Sequence, residues 1–185
     1  VDGLVVEGGE GGGVKNSRDG STMVLLPLVC SKVGVPVIAA GGITDGRSMA
    51  AAFALGAEGV QMGTRMVSAA ESPVHQNWKD AIVGAKETDT VFLNRFGPGP
   101  ALRALRTEKT GTYEREGGEG VMGEFARAKE MYFGGDLESS IPLTGQVAGR
   151  IDAVKPVAQV IAETVAAPLE QQINGVEGMI YQLSN

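Results

Sequence analysis

Two short segments carry the residue types that an anion-binding site needs: Ala39-Ala40-Gly41-Gly42 and Gln61-Met62-Gly63-Thr64-Arg65. In each, an apolar run ends abruptly in glycine. Glycine lets backbone amides approach an anion closely, and the start of a following helix adds a favourable dipole. Thr64 adds a hydroxyl donor. Either segment by itself also suits a tight strand-to-helix turn. Together, at the ends of consecutive strands, they point to a phosphate cup of the kind built after the last two strands of a (β/α) barrel.

A third segment, Glu7-Gly8-Gly9-Glu10-Gly11-Gly12-Gly13-Val14, sets a glycine run directly after a strand. It lacks the G-x-G-x-x-G spacing and no helix follows directly, so it is not a dinucleotide fingerprint. It reads as a loop whose backbone can lie against a flat ring, with a mobile glycine linker as the alternative. His75 is the single histidine, which excludes a multi-histidine metal site. Cys30 is the single cysteine and lies in the apolar run Met23–Val33, so it reads as a core residue, not a nucleophile. It cannot close an internal disulfide, which fits a reducing cytosol. Trp78 and Met66 read as packing residues.

The elements that must position these segments follow from periodicity. Gly3–Glu7, Val35–Ala40 and Gly59–Met62 are short, mostly non-alternating apolar runs, as expected of strands buried on both faces. Between them, Thr22–Val33 (N-cap Ser21) and Arg47–Leu55 (after Asp45) have helical spacing and end at Gly34 and Gly56. Strand, helix, glycine, strand at this pitch predicts βαβ units and a parallel sheet. Beyond Arg65 the pattern changes. Met66–Lys86 reads as a helix interrupted near Pro73, Thr90–Leu93 as an extended piece, and Phe96–Pro100 as a turn-rich breaker. Arg103–Glu130 is charged with weak helical spacing, and Arg103–Glu116 within it reads as a solvated face. A final helix is expected from about Pro156 to Ala166, with Val157, Val160, Ile161 and Val165 on one face.

The chain has 185 residues, 43% of them hydrophobic, which is the globular range. Its formal net charge of -6 argues against a nucleic-acid or anionic-membrane surface. No apolar stretch approaches the roughly 20 residues of a membrane span, and no secretory signal is visible. A complete (β/α)₈ barrel needs roughly 250 residues, so three βα units are expected to be part of a larger domain.

The series VDGLVVEGGEGGG, PVIAAGGI, ALGAEGVQMGTR and ES-x-x-H resembles the nitronate monooxygenase family, formerly 2-nitropropane dioxygenases, which is close to the FMN-dependent enoyl-acyl-carrier reductases. The likeness runs from Val1 to about Val165, through GQVAGRID at Gly145–Asp152. The resemblance implies an α/β fold: the last three βα units of a TIM (β/α)₈ barrel (1–65), then a helical C-terminal region of the same domain (66–166). It also implies non-covalent FMN. Gly41, Gly42, Gly63 and Thr64 would bind its phosphate, with Ala40 and Met62 at the strand ends beside them, and Gly13 would lie along the ribityl chain or ring. The expected activity is oxidation of alkyl nitronates with O₂, in the cytoplasm, with neither nucleic acid nor membrane as partner. An NAD(P)H-dependent flavin reductase of quinones or enoyl thioesters is the second reading, and a catalytically inert barrel fragment the third.

One departure bears on mechanism. Where the family usually has histidine after the glycine run, this chain has Val14, which can neither accept a proton nor donate a hydrogen bond. No residue is thereby marked as catalytic, and deprotonation of a neutral nitroalkane has no evident base. His75, within the ES-x-x-H stretch, reads as structural. Residues 167–185 form an atypical tail, and Ala166–Asn185 resembles a segment of the porter domain of RND-type efflux transporters.

Overall fold

The computed structural model describes residues 1–97, 99–117 and 120–166; the tail 167–185 lies outside them. Strands β1 (Leu4–Glu7), β3 (Val37–Ala40) and β4 (Gly59–Gln61) form a parallel sheet in the order β1-β3-β4. Helix α1 (Thr22–Cys30) connects β1 to β3, and α2 (Gly46–Ala54) connects β3 to β4. The expected βαβ units are present, and the strands that end beside Gly41 and Gly63 are adjacent and parallel.

Side-chain alternation gives this sheet two unlike faces. Val6, Val37, Ala39 and Val60 pack with Leu26 of α1 and Ala52 of α2 in one apolar cluster, and Cys30 packs at its margin. On the other face the register aligns Val5 with Ile38 and Gly59, and Glu7 with Ala40 and Gln61. Val5 and Ile38 remain 54% and 36% exposed. The helices therefore cover one face only. Sheet position dictates what each face does: the covered face is core, and the bare face ends in polar side chains.

Helix α2 begins where Asp45 accepts from the Ser48 backbone N–H at 2.9 Å, while the Ser48 hydroxyl faces the Asp45 N–H at 3.1 Å, a reciprocal capping box. After β4 come α3 (Thr64–Val67) and α4 (Gln76–Val83), the latter starting past Pro73 as the sequence suggests. A second sheet, antiparallel, joins β2 (Gly13–Lys15), β6 (Ala101–Leu105) and β5 (Thr90–Leu93) in the order β2-β6-β5. Here the structure corrects two expectations. Val14 lies in a strand rather than a loop, paired opposite Leu102. Arg103 is not on a solvated face: every residue of β6 is buried. Arg103 is covered because its guanidinium donates to the Gly9 carbonyl and lies over the Phe92 ring, so a charged residue is buried with partners in place of water. The solvated reading holds for much of α5 (Glu108–Glu116), although Thr110 and Gly111 turn inward.

Helix α6 (Ala128–Gly134) follows a 3₁₀ turn at Val121–Arg127, and a second 3₁₀ turn spans Gln146–Arg150. Trp78, Ile82, Met131, Ala148 and Ile151 make a second core cluster, with the Trp78 ring edge-on to Tyr132 at 4.7 Å. The packing role read for Trp78 is what its 1% exposure reflects. In the final helix α7 (157–166) the inward face is narrower than its apolar pattern suggests. Val160 and Thr164 are buried at 2%, whereas Val157, Ile161 and Val165 are 36–43% exposed. Thr164 can be buried because its hydroxyl donates to the Val160 carbonyl at 2.7 Å, one turn back.

Candidate functional site

A cavity of about 200 Å³ opens at the C-terminal ends of the parallel strands. Its lining joins Glu7 of β1, the loop Glu10–Gly13, Ala40–Ile43 after β3, Gln61, Gly63 and Thr64 after β4, and Leu143, Gly145 and Val147 from late in the chain. Six of the seven cofactor-binding residues expected from sequence meet here: Gly13, Ala40, Gly41, Gly42, Gly63 and Thr64. Met62 does not. Alternation along β4 turns its side chain to the helix-covered face, where it packs with the apolar cluster. Sequence reasoning missed Glu7, Glu10, Gln61 and the segment from Leu143. Alternation could have found Gln61, which must point opposite to Met62; nothing local in the sequence announces the late segment.

Gly41 has φ +79°, and a Cβ there would come within 2.9 Å of the Gly11 nitrogen and 3.1 Å of the Gly8 carbonyl oxygen. Only glycine lets the turn after β3 lie this close to the glycine loop. Gly13 and Gly63, by contrast, face open space on the side a Cβ would take.

The glycine loop is not a mobile linker. Gly8 donates to the Ala40 carbonyl at 3.2 Å and Gly9 to the Gly20 carbonyl at 2.7 Å. The Glu10 carboxylate accepts from both the Thr22 backbone N–H (2.9 Å) and the Thr22 hydroxyl (2.8 Å), at the start of α1, where negative charge meets unsatisfied amides. From below, the buried Lys15 ammonium donates to the Gly8 carbonyl at 3.1 Å and pairs with the Glu7 carboxylate at 2.9 Å. From the side, Arg103 donates through Nε to the Gly9 carbonyl at 2.6 Å and lies over the Phe92 ring at 5.0 Å. Burial pulls the Arg103 guanidinium below its ordinary value, against the opposing pull of Asp19 and Glu10.

The late segment closes the cavity from above. The Gly145 N–H donates to the Thr64 hydroxyl oxygen at 2.9 Å, so Thr64 acts here as an acceptor and keeps its own hydrogen to donate. Gln146 donates its backbone N–H to the Glu10 carbonyl at 2.9 Å, and Arg150 pairs with Asp45 at 2.6 Å. Burial alone would raise the Asp45 carboxyl, but the Ser48 backbone and hydroxyl donors and Arg150 outweigh it and hold it below 3.8. Next to Thr64, Arg65 is 4% exposed and donates to the Ala153 carbonyl at 3.0 Å, tying α3 to the segment that leads into α7.

No lysine or arginine lines the cavity. An anion placed between Gly42 and Thr64 would be held by backbone amides and a hydroxyl, as the sequence suggests. At about 200 Å³ the space suits a phosphate and the chain that carries it, and falls short of the 300–1,000 Å³ of a whole ligand pocket. Val14 is 61% exposed and is not part of the lining. His75 caps α4 by accepting from the Asn77 N–H at 3.1 Å, which is the structural place read for it. Among the described residues, no helix is long and apolar enough to cross a membrane.

Residues 1–167 match the nitronate monooxygenase family. A probable nitronate monooxygenase of Staphylococcus aureus is 43% identical over 104 residues, 52% of this chain and 29% of that protein. The solved structure of FabK from Thermotoga maritima superimposes with a TM-score of 0.86 at 40% identity, covering 97% of this chain and 58% of that one. A nitroalkane oxidase from Streptomyces ansochromogenes gives a TM-score of 0.75 at 25% identity, covering 94% of this chain and 53% of its own. The three βα units are thus part of a (β/α)₈ barrel, and the chain spans about a third of the curated relative's length and somewhat over half of the solved ones. The match to the family ends at residue 167, and nothing in these comparisons supports the resemblance of Ala166–Asn185 to an efflux-transporter segment.

Proposed function

The chain belongs to the nitronate monooxygenase family, and from that membership we propose that it forms the phosphate-binding part of an FMN-dependent oxidoreductase that oxidises alkyl nitronates with O₂. The observation that carries this reading is the cavity at the strand C-termini. Two glycine turns from neighbouring strands and the Thr64 hydroxyl converge there on one space. Gly41, Gly42, Gly63 and Thr64 would hold the FMN phosphate, Ala40 would floor the site, and Gly13 would lie along the ribityl chain or ring. FMN, when bound, supplies the redox chemistry.

What the chain itself contributes is position. The Gly8–Ala40 and Gly145–Thr64 hydrogen bonds tie together the loops that border the cavity, so less of the chain would have to be ordered on binding. Substrate would approach from the C-terminal ends of the strands, where Glu7 and Gln61 line the cavity. We assign residues 1–65 and 66–166 to one flavin domain and place the protein in the cytoplasm, in keeping with its acidic charge and single cysteine.

The test is an FMN titration of the full chain followed by two rate measurements. Nitronate-dependent oxygen uptake supports the proposal. NAD(P)H consumption with a quinone or an enoyl thioester, without oxygen uptake on nitronate, replaces it with the reductase reading. Absence of FMN binding replaces both with an inert barrel fragment.

A further inference from the structure

Two carboxylates line the cavity, and they are differently committed. Glu10 is occupied at the start of α1, where the Thr22 backbone N–H lies at 3.1 and 2.9 Å from its two oxygens and the Thr22 hydroxyl at 2.8 Å from one of them. Glu7 ends β1 on the bare sheet face, with its side chain 40% exposed and Oε2 paired to Lys15 Nζ at 2.9 Å. The space that a side chain on Gly11 would fill is taken by the Glu7 carboxylate and the Lys15 ammonium, so the pair lies against the bare Gly11 backbone. In register across the sheet, Glu7 is aligned with Ala40, and Ala40 with Gln61. Two strand spacings separate Glu7 from Gln61, roughly 10 Å between backbones, with the small Ala40 side chain between them and all three residues lining the cavity.

We propose that Glu7 is the proton acceptor for neutral nitroalkanes at this site, with Gln61 across the gap orienting the nitro group. The proposal rests on the nitro-substrate reading given above. The C–H bond next to the nitro group breaks, its proton bonds to a Glu7 carboxylate oxygen, and the electron pair moves onto the nitro oxygens. A carboxylate and a neutral nitroalkane become a carboxylic acid and a nitronate, so one negative charge is carried throughout. That charge leaves the Lys15-paired carboxylate for the nitro oxygens on the Gln61 side, and no oxidant is consumed. The Gln61 carboxamide can donate to the oxygens that receive the charge. The base that Val14 cannot be is thus supplied from the neighbouring strand end.

The experiment is exchange of the α-hydrogens of nitroethane in D₂O, followed by proton NMR on the full chain without flavin. The native chain is expected to accelerate exchange over buffer. Glu7→Gln is expected to abolish that acceleration, a loss of about 10²-fold or more. Because Glu7→Gln leaves Lys15 unpaired, circular dichroism is recorded alongside, and a Glu7→Gln/Lys15→Gln double variant, which removes both charges together, is measured with the same expected loss. Exchange by the native chain at the buffer rate overturns the assignment, as does acceleration retained in a folded variant. Oxygen uptake by the native, flavin-loaded protein on pre-formed nitronate is read separately. Its failure counts against the proposed function and leaves the exchange result to judge Glu7.

Discussion

Gly41 and Gly42 offer a paired perturbation in which the structure predicts unequal outcomes. Both have positive φ, +79° and +84°. Replacing either by alanine forces an L-residue into the left-handed region, at about 1–2 kcal/mol. At Gly42 the nearest atoms to a new Cβ are Glu10 Cβ and Cγ, at 3.7 and 3.9 Å, which is ordinary contact. At Gly41 they are the Gly11 nitrogen at 2.9 Å and the Gly8 oxygen at 3.1 Å, both backbone and hydrogen-bonded to each other. The loop must move, and overpacking of this kind costs typically 1–3 kcal/mol more. Gly42→Ala should therefore destabilise by about 1–2 kcal/mol and Gly41→Ala by about 2–5 kcal/mol. Guanidinium denaturation reads this as a larger midpoint shift for Gly41→Ala at unchanged slope. Displacing Gly8–Gly11 also removes one wall of the cavity, so FMN affinity should fall further in Gly41→Ala than in Gly42→Ala. Equal losses in stability would refute the close approach of the two turns, and a larger loss at Gly42 would invert the reasoning altogether.

Thr64→Val should cost about 1–3 kcal/mol by leaving the Gly145 N–H without its acceptor, while Thr64→Ser should restore most of it; thermal unfolding of the three proteins decides. Arg103→Lys cannot reproduce the Nε bond to the Gly9 carbonyl. A loss of about 1.5–3 kcal/mol and faster amide exchange at Gly9 and Gly11 are expected, and unchanged exchange would show that Arg103 does not brace the loop. Asp45→Ala should lose about 0.5–2 kcal/mol as a lost helix cap, with Asp45→Asn much closer to the native protein. Because the Asp45 carboxyl is held below 3.8, its contribution is present above that pH and disappears as pH falls through the lower folded value. The gap between native and Asp45→Ala stability should close in acid, and a gap that is constant across pH would be evidence against the charged cap.

What could be read ahead of the structure was what depends on neighbours in sequence. The three parallel strands, the glycine turns after β3 and β4 and the helix starts at Thr22 and Asp45 all announce themselves through local periodicity and turn chemistry. Of the second sheet, only β5 did, as the extended piece Thr90–Leu93. Gly13–Lys15 begins on the last residue of a glycine run and Ala101–Leu105 carries an arginine, so neither shows a strand pattern; each is a strand because the other is there to pair with it. The site divides in the same way. Gly41, Gly42, Gly63 and Thr64 stand out as motifs, whereas Glu7 and Gln61 become site residues only once the register sets them in one row, and Gly145 only once the chain returns from 81 residues away to meet Thr64.

That return has a consequence for how the protein folds. The cavity is closed by the Thr64–Gly145 hydrogen bond and the Asp45–Arg150 ion pair, contacts that span 81 and 105 residues. Each closes a long loop whose entropy must be lost before the contact contributes anything, whereas the strand pairings of the βα units below close shorter ones. The strand ends under the cavity can therefore form before its roof. A chain whose synthesis has stopped before Gly145 holds the glycine turns without the lid that sets their spacing. A ligand that fills the closed space binds the finished fold alone, so its binding energy adds in full to the stability of that fold against every earlier intermediate.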